Sequence, residues 1–381
     1  MVHALRRAAD LSLALPVGAL VGLVWANLAG DTYTAFAHAL HFGVNDVGMV
    51  FFFALAAKEV VEATAPGGAL ASWRVAALPL LAAVGGILGP ALVYTGIVWL
   101  QNEPALARGW AIPCATDIAF SYLVAKAIFR DHPAIPFLLL LAIADDAMGL
   151  LILAVFYPSG ELHLAVAAAM MVAAFAVSFA VRRARVASFW PYVLAGGTLS
   201  WAALYYGGLH PALALVPIVP FMPHVPRDPG LFVEAPPDAH DTLSEFEHWW
   251  KYPVQLILLC FGLVNAGVPF NQVGPGTWAV LVAILVGKPL GILLAVAPAV
   301  KAGFRLPDRL TWTDLVVVGL AAAIGFTVAL FFATAAFPPG DHLDQTKMGA
   351  LLSVGSAVVA LVAARVLRVG RFGRPTALAG R

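Results

Sequence analysis

Apolar stretches long enough to cross about 30 Å of hydrocarbon recur along the whole chain with little polar sequence between them. Inside lipid every backbone amide and carbonyl needs a partner within the protein, so such stretches fold as helices. Composition agrees: 61% of residues are hydrophobic and 11% charged, against roughly 25% charged in ordinary soluble domains. The sequence therefore predicts an all-α integral membrane protein, one multi-pass domain over 1–381 with the lipid bilayer as its solvent. About twelve spans are expected, near 11–29, 44–63, 76–99, 109–128, 134–156, 163–181, 189–206, 209–222, 252–269, 276–299, 312–336 and 347–368. The eighth is short and proline-rich. The first keeps its N-terminal arginines but lacks a small-residue cleavage site, so it reads as an uncleaved span.

Lys and Arg set the orientation. Seventeen of the 22 fall in connections on the N-terminal side, two (Arg108 and Lys347) on the other, and three (Lys58, Lys126 and Lys288) within spans. Both termini are thus expected in the cytoplasm, together with the acidic connection 223–251. A net charge of +1 offers no basic surface for nucleic acid, and Cys114 and Cys260 lack metal-ligand spacing.

Against this background two adjacent acids, Asp145-Asp146, lie in the middle of the run 137–156. An ionised carboxylate at mid-membrane costs about 2.5–3.5 kcal/mol on insertion scales, so the pair marks a site that binds or relays ions. Neighbouring helical residues diverge by about 100°, so one acid can ligate while the other pairs or relays. A structural alternative is two acids held in permanent ion pairs.

Two spans carry interruptions, at Gly109–Asp117 and at Ala321–Thr327. Pro113 removes an amide donor and frees carbonyls beside Thr116 and Asp117, either as a cation site or as a packing kink capped by Asp117. Lys288 is about twelve residues from either end of its span, roughly 18 Å, too deep to snorkel. It needs a buried partner, for which Asp117, Asp145 and Asp146 are the candidates. If the interrupted helices oppose each other, Asp117 balances their positive ends and Lys288 their negative ones. Glu59 and Glu62 sit near a span end, either as an acidic mouth for cations or as solvated side chains. His210 and His248 read as interfacial unless a partner makes them pH sensors.

The segments Ile-Pro-Cys-Ala-Thr-Asp-Ile-Ala-Phe (112–120), Leu-Ala-Ile-Ala-Asp-Asp (141–146), Val-Asn-Ala-Gly-Val (264–268), Gly-Lys-Pro-Leu-Gly-Ile (287–292) and Ile-Gly-Phe-Thr (324–327) together resemble the NhaA family of bacterial sodium/proton antiporters. The resemblance implies inverted repeats in which the fourth and eleventh spans are interrupted and cross. It further implies an electrogenic exchanger of the inner membrane, without cofactor, that exports Na⁺ or Li⁺ against inward H⁺ and serves sodium and pH homeostasis. Asp145 and Asp146 then form the Na⁺/H⁺ site, with Asp146 the more direct ligand. Thr116, Asp117 and Lys288 support it, and Lys288 either exchanges a proton with Asp145 or only pairs with it. Glu59, Glu247 and His210 match family positions at the cation entrance and in pH response.

The chain also departs from that pattern. Lys58 stands beside Glu59 where better-known members have an apolar residue, and Ala63 replaces a second acid, with Glu62 one position early. The connection 31–45 is too short for the periplasmic β-hairpin through which familiar members dimerise, so a homodimer would lack that contact. Other classes compatible with buried acids are a cation channel and an intramembrane aspartyl protease. The latter is disfavoured because the chain has no Gly-x-Gly-Asp segment, and no HExxH or Gly-x-Ser-x-Gly site occurs either.

Overall fold

Leucine, alanine and valine runs carry few side chains that compete with the backbone for hydrogen bonds, and the described residues are mostly helical. A computed structural model describes residues 13–68, 70, 72–130, 132–224 and 241–373, and among these there is no β-strand. The helices are α1 (Ala14–Leu28), α2 (Gly30–His41), α3 (Met49–Thr64), α4 (Trp73–Leu100), α5 (Ile118–Phe129), α6 (Ala134–Phe156), α7 (Leu164–Arg183) and α8 (Thr198–Tyr206). There follow α9 (Thr242–Asn265), α10 (Pro275–Val282), α11 (Lys288–Lys301), α12 (Trp312–Ala322), α13 (Phe326–Ala336), α14 (Asp341–Leu352) and α15 (Ser356–Val366). A π turn at Phe42–Gly48 joins α2 to α3, so the short connection 31–45 is helical.

Among the described residues six helical stretches are long and apolar enough to cross a membrane, and two bent pairs bring the number to eight. The bends are 54° between Pro104–Cys114 and α5 and 53° between α12 and α13, at the two interruptions expected from the sequence. The window 209–222 differs: it holds only the 3₁₀ turns Pro211–Leu213 and Val219–Phe221. Its mean hydropathy is that of a span, but Pro211, Pro217 and Pro220 remove the amides a continuous helix needs. Leucines and valines such as Leu92, Leu100, Leu294 and Val366 are about three-quarters exposed on the outer faces, where lipid rather than water suits them.

The chain forms two compact units, each entered more than once. One comprises Met1–Trp73, Asp146–Gln272 and Leu330–Asp344; the other comprises Arg74–Asp145, Val273–Ala329 and Gln345–Arg381. In the first, α1 and α9 pack backbone to backbone: a Cβ at Gly18 would strike the Leu259 carbonyl, and one at Gly262 would lie 2.5 Å from the Leu15 oxygen. Small residues give the same close approach in the second unit, where Gly85 and Gly89 of α4 face Gly291 and Gly287.

The acidic connection is shorter than the sequence suggests. Residues 225–240 lie outside the described residues, and helix resumes at Thr242, well before the expected 252. Asp241 starts it as N-cap, its carboxylate accepting from the Ser244 amide at 2.9 Å. Glu247 is consequently a helical residue.

Candidate functional site: two helix breaks and a buried lysine

The first break follows from Pro113. The segment Ile112–Cys114 is a 3₁₀ turn, Ala115 and Asp117 are extended, and α5 begins at Ile118. The carbonyls and amides thus released meet the second break, between Ala322 and Phe326, within the same unit. The Asp117 amide donates to the Ile324 carbonyl at 2.6 Å, and the Ser121 hydroxyl to the Ala321 carbonyl at 2.8 Å. Close approach is possible because residue 325 is glycine: a Cβ there would stand 2.8 Å from the Ala115 oxygen.

Asp117 serves both helix starts. One carboxylate oxygen accepts from the Phe120 amide at the head of α5, at 3.4 Å; the other accepts from the Thr327 amide at 3.3 Å and from the Thr327 hydroxyl, at the head of α13. Its carboxyl is thereby set at two helix N-termini, where a negative charge is favoured. Lys288, at the head of α11, supplies the opposite charge. Its ammonium is fully buried, 2.5 Å from the Cys114 carbonyl that closes the 3₁₀ half of the first break, and 3.0 Å from Asp145 Oδ2.

Of the three candidate acids, Asp145 is therefore the one that pairs with Lys288. Its Oδ2 also receives the Thr116 hydroxyl at 2.7 Å. That hydroxyl stands 3.1 Å from the Ala322 carbonyl as well, so a single proton has two acceptors within reach. The second carboxylate oxygen of Asp145, Oδ1, is buried without a hydrogen-bond partner. Gly86 of α4 leaves space beside it: a Cβ at 86 would sit 3.7 Å from Oδ1 and 3.5 Å from the nearest Ile292 carbon, both ordinary contact distances. Asp146, one residue further along α6, is partly exposed where Asp145 is not.

The remaining sequence candidates gather elsewhere. Glu59 and Glu247 meet in the other unit, at the Lys58 ammonium, which is 2% exposed and lies 3.4 Å from Glu59, 2.7 Å from Glu62 and 2.8 Å from Glu247. His210 is buried, its ring 4.7 Å from that of Phe331, and its Nδ1 has no partner among the described residues. It precedes the turn Pro211–Leu213 and is buried within the protein.

The segment 264–268 has a structural task. Asn265 and Asn45 exchange side-chain amide bonds of 2.8 and 3.1 Å, and the Tyr33 hydroxyl bridges the Val264 carbonyl and the Gly267 amide. Three features escape sequence reasoning: the Cys114 carbonyl as acceptor for Lys288, the clearance at Gly86, and the acids gathered by Lys58. Only the last left a signal, the lysine inside an apolar helix.

Comparison with known proteins gives the same direction. The sequence model of the family described as Na⁺/H⁺ antiporter 1 matches residues 3–367. Two curated relatives are named Na(+)/H(+) antiporter NhaA. The one from Desulfitobacterium hafniense is 48% identical over 370 residues, covering 94% of this chain and 95% of the relative. The one from Geobacter metallireducens is 47% identical over 376 residues, covering 95% and 97%. Among solved structures, the sodium proton antiporter MjNhaP1 from Methanocaldococcus jannaschii superposes with a TM-score of 0.57 at 15% identity, covering 96% of this chain and 93% of that one. At that identity the likeness concerns the fold alone.

Proposed function

This chain belongs to the NhaA family of Na⁺/H⁺ antiporters, and from that premise we propose that it exports Na⁺ or Li⁺ in exchange for inward protons, electrogenically and by alternating access, across a bacterial inner membrane with both termini in the cytoplasm. A multi-pass transporter, not an enzyme, is the class its relatives define. The observation that carries the reading is the state of Asp145: one carboxylate oxygen tied to Lys288 and Thr116, the other buried and unpaired, with a second acid next along the helix.

An unsatisfied buried carboxylate oxygen is costly unless something shares it. A proton or a small hard cation answers that need equally well, and cannot do so together. Asp146, more accessible, takes the cation directly; Asp145 holds the charge balance with Lys288. Because protonation and cation binding compete for these acids, the site moves across loaded with one or the other, and that exclusion couples the two fluxes. Electrogenic exchange requires unequal numbers of protons and cations per cycle, and Asp145, Asp146 and Lys288 are the groups available to carry the protons. Thr116 and Asp117 hold the crossing of the breaks, which keeps the opened backbone satisfied while the site changes sides. Glu59, Glu247 and His210 are proposed to tune cation access and pH response rather than to bind the transported ion.

Reconstitution into proteoliposomes tests this. An imposed Na⁺ or Li⁺ gradient should drive proton movement, seen as dequenching of a pH-sensitive dye, and labelled Na⁺ should show counterflow. Cation flux without obligatory proton exchange would instead identify a channel and overturn the proposal.

A further inference from the structure

Lys58 lies in the apolar helix α3 with its ammonium shut off from solvent and surrounded by Glu59, Glu62 and Glu247 at 2.7–3.4 Å. When all are ionised, three carboxylates around one ammonium leave two negative charges uncompensated. Converging carboxylate oxygens are what a hard cation seeks, so the lysine sits where a soluble cation would. A further acid acts on the cluster: Asp241, the cap of α9, on Glu62. On the same helix, Lys251 lies over the Tyr252 ring at 5.6 Å, and His248 is hydrogen-bonded to the Ser244 carbonyl of its own helix. The turns Pro211–Leu213 and Val219–Phe221, which pack on α3, carry no ionisable side chain. Asp46, in the turn before α3, is twelve residues away, about 18 Å along the helix.

We propose that Lys58 is a tethered counter-ion: it fills the carboxylate cage of Glu59, Glu62 and Glu247 in place of a soluble cation, ties α3 to α9, and sets the pH range over which the exchanger operates. With the N-terminus proposed in the cytoplasm, the end of the second span that carries the cage is cytoplasmic too, and only the transport part of the inference rests on that assignment and on exchange itself. With the ammonium in place, acidification removes ion pairs. With it gone, acidification relieves repulsion among three acids.

Lys58→Met keeps an unbranched side chain one atom shorter and removes its charge. In purified full-length protein, melting should be followed from roughly pH 5 to pH 9. Lys58→Met should lag the wild type most at alkaline pH, with the gap closing toward acid, whereas Lys58→Arg should track the wild type throughout. A gap that is constant across the range would overturn the counter-ion. If Lys58→Met does not accumulate, Glu247→Gln gives the same reading with the lysine retained: its deficit should likewise shrink toward acid, and a constant deficit counts against the proposal. In proteoliposomes the midpoint of pH activation in Lys58→Met should move to higher pH by about one unit or more. An unmoved midpoint beside an active wild type would overturn control of transport by Lys58. A wild type that does not exchange Na⁺ for H⁺ would refute the exchange reading instead, and the melting comparison would still decide the counter-ion.

Discussion

Thr327 gives both its amide and its hydroxyl hydrogens to one carboxylate oxygen of Asp117, a residue 210 positions earlier in the chain. The contact joins the head of α13 to the cap of α5 and closes the crossing of the two breaks. Removing one side of a buried hydrogen bond costs about 1–3 kcal/mol per orphaned group. Thr327→Val should therefore lower the melting temperature clearly, and Thr327→Ser should restore it. Asp117→Ala orphans more donors and should melt lower still, yet retain more transport than loss of Asp145 or Asp146, because Asp117 is proposed to balance charge without ligating the ion. Equal inactivity of all three at matched yields would make Asp117 a ligand.

Asp146→Asn preserves size and removes the charge that the cation is proposed to meet. Na⁺-driven proton release should vanish while the protein still inserts and purifies as a folded species. Near-normal exchange in this variant would remove Asp146 from the site.

Lys288→Gln separates two roles for the buried ammonium. If the lysine carries a proton in the cycle, net charge moved per turnover should fall while some exchange remains, measured as current on solid-supported membranes. If it only holds Asp145 and the Cys114 carbonyl, the variant should chiefly lose stability, since breaking a buried pair typically costs about 3–5 kcal/mol. An unchanged current per ion with an unchanged melting temperature would dispose of both.

Gly86→Ala and Gly85→Ala form a matched pair. A methyl at 86 fits, in ordinary contact at 3.7 Å from Asp145 Oδ1. It should shield that oxygen and raise the Na⁺ KM by roughly threefold to tenfold, under about 1.4 kcal/mol of binding, with little change in melting. A methyl at 85 meets the Gly291 backbone and should destabilise by about 1–3 kcal/mol or more. Equal behaviour of the two variants in both assays would show that Gly86 is only a packing position.

How much of this was legible in the sequence depended on the kind of residue. Pro113 and Gly325 each stand near a threonine in an apolar span, and that pairing is what pointed to the two breaks; proline alone does not, since Pro79, Pro90 and Pro253 lie inside continuous helices. The depth of Lys288 demanded an acid, but choosing Asp145 over Asp117 or Asp146 depends on helix rotation, which no spacing in one chain fixes. The window 209–222 misled because hydropathy averages do not register missing amides. Glu247 was assigned to a polar connection because its surroundings are acidic; Asp241 as a cap and Lys58 as a partner are what allow those acids into a helix.

The interlocked breaks bear on how the protein is made. The donors and acceptors freed at Pro113 find their complements about 210 residues downstream, which at translation rates of about 5–20 residues per second is a delay of roughly ten to forty seconds. Throughout that interval the earlier segment has left the ribosome without the strand of backbone that completes it. The unit therefore closes late, after the insertion machinery has handled most of the chain. Ribosome-stalled chains ending before Trp312 should leave 104–129 open to protease, and chains extended past Ala336 should protect it.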